Sequence, residues 1–131
     1  MPQPGITNSV LADNYNGVLR EDNYLKYKTY SPTQVLKLGG STIWMKIHNG
    51  FIIGDISGTD NFDATISLMI KLARKLGVQQ IHFHSSPGTC LNTLFAERYE
   101  AIPSFAVTFK AIRENVSFDK IKFTFADIDI F

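Results

Sequence analysis

The chain has 131 residues, 44% of them hydrophobic and 19% charged, with a formal net charge of +1. That length suits one domain with an ordinary core, with no need of disulfides or metals. It also excludes a strongly basic nucleic-acid surface, because the densest cationic cluster is only Lys71, Arg74 and Lys75.

The single cysteine, Cys90, rules out an intramolecular disulfide and fits a reducing compartment. The opening MPQPGITNSV lacks the charged and apolar regions of a signal peptide. No apolar run approaches the ~18 residues of a membrane span. The expectation is a cytoplasmic protein with neither nucleic acid nor membrane as a partner.

Residues 1–21 are rich in Pro, Gly and Asn, and read as an N-terminal arm ahead of one domain at 22–131. The stretch NYLKYKTY, residues 23–30, reads as a short helix or an irregular aromatic anchor, and Pro32 turns Ser31 away from helix. A strand is expected at 35–38, ended by Gly39-Gly40.

The next strand alternates: Ile43, Met45 and Ile47 point one way, and Trp44, Lys46 and His48 the other. Asn49-Gly50 supplies the positive-φ pair of a type I′ turn, and residues 51–56 return as the partner strand.

A helix is expected at 61–76. Asp60 serves as N-cap, Phe62, Ile66, Met69, Ile70 and Ala73 make the apolar stripe, and Gly77 closes the C-terminus. Residues 78–84 read as a strand, broken by Ser85-Ser86-Pro87-Gly88. A second helix starts at Thr89 or at Pro87-Gly88, carries Leu91, Leu94, Phe95 and Arg98-Tyr99, and ends by Pro103. Strands at 105–112 and 120–125 follow, with a turn near Asn115. The fold class is α+β with a mixed, mainly antiparallel sheet, in the order β-β-β-α-β-α-β-β.

Several residues are candidates for chemistry. His82 and His84 are two apart on a strand, so they share a side and suit two metal ligands or a base. A third ligand would have to be Cys90, His48 or Asp55, none at a diagnostic spacing, so structural histidines and no metal are expected. Cys90 follows SSPGT at a helix start, where a thiol is activated, with His82 or His84 as its base; the plainer reading is a small apolar residue. Ser57, Gly58 and Thr59 precede the main helix, where backbone N–H groups can hold a phosphate, or simply form a loop. Asp127 and Asp129 read as a solvated face or as guards of a sheet edge.

The order of elements resembles the C-terminal half of the GNAT acetyltransferase fold. FIIGDISGTDNFDATISLMIKLARKLGVQQIHF resembles its strand, pyrophosphate-side helix and next strand; TLFAERYEAIPSFAVTFKAI resembles the later helix and strand. NYLKYKTYSP resembles the aromatic segment that enters the second half of some bacterial GNAT-like proteins, and FTFADIDIF the terminal strand. The similarity covers residues 22–131, and the N-terminal half is too short for the usual first strand and two helices.

The resemblance implies acetyl-CoA, or another acyl-CoA, as cofactor, with Ser57, Gly58 and Thr59 in its pyrophosphate loop. That loop has one glycine and two acids where the family carries Arg/Gln-x-x-Gly-x-Gly/Ala. Phe95 stands where the family has a thiolate-protonating Tyr. The implied function is therefore an acyltransferase relative with reduced or lost catalysis. Two alternatives remain: transfer from another acyl donor through His82, His84 or Cys90, and a non-catalytic binding or assembly module. A homodimer is expected through a sheet face left uncovered, with Tyr24, Tyr27, Tyr30 and Trp44 in the contact.

Overall fold

The computed structural model describes residues 5–28, 32–104, 117–128 and 131, and its architecture is α+β. Four strands, β1 (Gln34–Leu38), β2 (Ser41–Ile47), β3 (Phe51–Ser57) and β4 (Ile81–Phe83), form one sheet in the order β1-β2-β3-β4. The first two pairings are antiparallel, and β3 with β4 is parallel. Three helices accompany them among the described residues: α1 (Asp22–Lys28), α2 (Phe62–Lys75) and α3 (Cys90–Ala96).

Two turns divide differently from the sequence pattern. Leu38 pairs with Ser41 across Gly39-Gly40, whose φ values of 58° and 84° suit a two-residue type I′ turn. Asn49 and Gly50 also have positive φ, but Ile47 pairs with Phe51. The second hairpin therefore has a three-residue loop, and Gly50 at 147° lies far from type I′ geometry.

Helix α2 runs where its stripe places it. Phe62, Ile66, Met69 and Ala73 are buried against Ile43, Met45, Phe51, Ile53 and Ile56 of the sheet. Its N-cap position is Asn61 rather than Asp60. At the other end Gly77 N–H donates to Arg74 O at 3.1 Å and Val78 N–H to Ala73 O at 3.1 Å, the paired bonds of a Schellman motif. Residues 78–80, expected in the next strand, serve this exit, which shortens β4 to three residues. Helix α3 takes Thr89 as N-cap, its hydroxyl accepting from Asn92 N–H at 3.2 Å, and stops before Arg98-Tyr99.

The opposite sheet face holds a second cluster of Trp44, Ile52, Phe125, Ala126 and Phe131, joined by Ile6, Tyr24 and Leu25. The arm thus lies over this face, with Val10 fully buried, and Asn16 bridges to Ile121. Trp44 is 0% exposed within its own chain. The face proposed for a homodimer is covered, and Trp44 is not available to a partner there.

Beside the covered face, residues 120–125 do not make the expected final strand. Short 3-10 turns at Phe118–Lys120 and Phe125–Asp127 replace it, with single bridges at Ile121 and Thr124. The Asp127 carboxylate accepts from Thr124 N–H at 3.0 Å, and that local bond draws the backbone into a turn. The strand expected at 105–112, the turn near Asn115, Tyr30 and Asp129 lie outside the described residues.

A bulge in β3 decides what each face receives. Trp44 pairs with Asp55, but Met45 pairs with Ile53, so Gly54 is the extra residue. Phe51, Ile53 and Ile56 stay with α2, while Asp55 turns to the face of Trp44. A β-carbon at Gly54 would lie 2.5 Å from Cζ of Phe131, whose ring is held between Trp44 at 5.2 Å and Phe125 at 6.0 Å. Gly54→Ala is therefore expected to cost about 1–3 kcal/mol by overpacking. Urea unfolding measures it, and an unchanged midpoint would refute the close fit.

Candidate functional site

The α2 side of β4 opens into a groove of about 680 Å³. Ile66, Met69, Ile70, Phe83, Phe95 and Ile102 give it apolar walls. His82, His84, Ser85, Asn92 and Ser104 bring polar groups to it. Three strong contacts organise this polar set. Asn92 Nδ2 donates to Ser85 Oγ at 3.1 Å, His84 Nδ1 shares a short hydrogen bond with Ser104 Oγ, and the His84 ring meets Phe125 edge-on at 4.2 Å. Burial, and then the neighbouring His82, hold the His84 imidazole below its ordinary value. Near neutral pH His84 is the uncharged form, able to accept a proton.

The two sequence-selected histidines therefore lie at one groove, but with different surroundings. His82 packs near the hairpin loop, where a β-carbon at Gly50 would lie 3.1 Å from its Cδ2. Among the described residues no group of three His, Cys, Asp or Glu side chains could hold a metal ion.

Cys90 is exposed and stands first in α3. Its backbone N–H donates to Asp13 Oδ2 at 2.8 Å, and its Sγ lies 4.0 Å from Thr59 Oγ1. The structure thus brings Cys90 to the Ser57, Gly58 and Thr59 loop, not to the His84–Ser104 pair. In that loop Gly58 has φ 85° and its carbonyl accepts from Ser41 Oγ at 2.5 Å. Asp13 brings a carboxylate to the same corner, which opposes an anion there.

Between β3 and β4 the parallel pairing covers only Phe51–Ile81, Ile52–His82 and Ile53–Phe83. Beyond it the strands part, and the C-terminal segment enters the gap. Ser86 N–H donates to Phe123 O at 2.9 Å, Ser85 bridges Thr124, and the Phe131 ring lies on Gly54. Compared with family models, curated proteins and solved structures, the chain matches none of them.

One polar cluster escaped the sequence reading. Arg20 is 1% exposed, and Asp55 and Asp127 are 0% exposed. The guanidinium places all five donors: Nη1 on Asp55 at 2.7 Å and Ile6 O at 3.1 Å, Nη2 on Asp127 at 2.9 Å and Thr124 Oγ1 at 2.9 Å, and Nε on Asp127 at 3.2 Å. Asp55 also accepts from Ser9 N–H at 2.9 Å and Ser9 Oγ at 2.5 Å. Burial pushes the Asp55 carboxyl above its ordinary value, against the pull of Arg20 and Ser9. Asn8 Nδ2 adds bonds to both Asp127 oxygens, at 3.2 and 3.1 Å. Asp127, expected on a solvated face, is instead part of the core. The cluster is saturated by protein donors, so it fastens the arm rather than receives a ligand.

Proposed function

We propose that this chain is a GNAT-like acyltransferase relative that has given up transfer from acyl-CoA and holds a small, largely apolar molecule in the groove beside β4. The observation that carries the reading is the C-terminal segment in the gap between β3 and β4, because that filling leaves no cleft between the strands for a donor. The loop before α2 supports it, with one glycine and a carboxylate nearby instead of a cradle of backbone N–H groups. The groove's volume falls in the range of small-molecule sites, and its apolar walls with a few convergent polar groups are their usual lining. The protein is thus a binding module, with the polar set His84, Ser104 and Asn92 orienting the ligand.

Two titrations test this. Acetyl-CoA is expected to give no heat of binding, whereas micromolar affinity lost on Gly58→Pro would overturn the loss of donor binding. The dye 1-anilinonaphthalene-8-sulfonate is expected to bind saturably and to be excluded by Ala96→Phe, which fills the groove from α3. Dye binding unchanged by Ala96→Phe would overturn the groove as the site. Self-association enters this reading only through the outer edge of β1, which has no strand partner among the described residues; a monomer mass by light scattering at tens of micromolar removes it. No helix among the described residues is long and apolar enough to cross a membrane.

A further inference from the structure

We propose that Ser104 is a nucleophile with His84 as its general base, acting on a carboxylic ester whose apolar acyl chain lies in the groove beside β4. The inference rests on the groove being a ligand site, and adds a reaction to it. Four observations carry it. The Ser104 hydroxyl is hydrogen-bonded to His84 Nδ1, which is the contact proton abstraction requires. The imidazole is fixed edge-on against Phe125, so the base has a set direction. Both residues line the groove, together with the apolar rings of Phe83 and Phe95. The imidazole is also kept uncharged by burial and by His82, the state in which it accepts a proton.

The step balances without any further reagent. Ser104 Oγ attacks the ester carbonyl carbon while its proton passes to His84 Nδ1. The C–O bond to the alcohol then breaks, and the alcohol leaves with that proton, giving an acyl-Ser104 ester. Water adds to this ester with His84 again taking a proton, the acid departs, and Ser104 recovers its hydrogen.

An ethoxyfluorophosphonate probe tests the nucleophile directly. Attack by Ser104 forms an Oγ–P bond and releases fluoride, so intact mass should rise by one adduct and peptide mapping should place it on Ser104. Ser104→Ala should abolish the adduct while leaving dye binding and the thermal midpoint unchanged. His84→Gln should slow labelling and p-nitrophenyl butyrate hydrolysis by about a hundredfold or more. An absent adduct, or one mapped elsewhere, on wild-type protein that binds the dye overturns the dyad and leaves the groove standing. An adduct on Ser104 with no dye binding supports the dyad and removes the groove reading.

Discussion

Arg20→Met is expected to lower the unfolding free energy by about 3–5 kcal/mol, the usual cost of breaking a buried ion pair by removing one partner. The loss is large because two carboxylates depend on this one guanidinium, and neither Asp55 nor Asp127 reaches solvent. Small domains hold about 5–15 kcal/mol in total, so this is a substantial share. Arg20→Lys should recover only part of it, because an ammonium offers three donors where the guanidinium places five, and leaves Thr124 Oγ1 or Ile6 O without its bond. Pairing Arg20→Met with Asp127→Asn should cost less than the sum of the two single changes, since the second removes a charge the first has stranded. Denaturant unfolding followed by the fluorescence of Trp44, the chain's one tryptophan, measures all three. A loss below about 1 kcal/mol for Arg20→Met would mean that the arm is not fastened through this cluster.

The elements of the first six positions in the order β-β-β-α-β-α were legible because local signals agree there: period-two alternation in β2, the three-and-four spacing of α2, and Gly77 as its stop. What stayed hidden depends on long separations. Arg20 and Asp127 are 107 residues apart, and nothing local marks either as buried. Asp55 was half legible. A strict alternation from Phe51 and Ile53 would put it on the α2 face, and only the bulge at Gly54 sends it to Arg20. A glycine followed by an acid inside the apolar run FIIGDIS is the signal that could have raised that question. His82 and His84 were found by spacing, but Ser104 was not, because it approaches His84 from beyond α3. The last turns were missed for a related reason: FTFAD alternates like a strand, while Asp127 binds the backbone three residues earlier.

Trp44→Ala should destabilise the fold by about 3–5 kcal/mol, the range for truncating a buried aromatic residue, and should leave the mass of the folded protein unchanged. The indole is enclosed by the chain itself. Phe131 meets it edge-on at 5.2 Å, the Arg20 guanidinium lies 5.3 Å from its ring centre, and Tyr24 and Leu25 of α1 pack on the same cluster. Trp44→Phe separates the contributions. The indole Nε1 is buried with no hydrogen-bond partner, so this substitution removes an unsatisfied polar atom along with part of the ring. The cavity cost and the relief of that donor then oppose each other, and Trp44→Phe should lose about 1–2 kcal/mol or less, well under half the alanine effect. Guanidinium unfolding by far-ultraviolet circular dichroism reads both variants, since the fluorescent reporter is gone. Equal losses for Phe and Ala would show that Nε1 is bonded in solution. Light scattering on Trp44→Phe completes the test: a wild-type dimer dissociated by so conservative a change would return Trp44 to an interface between copies, against the arm that covers it here.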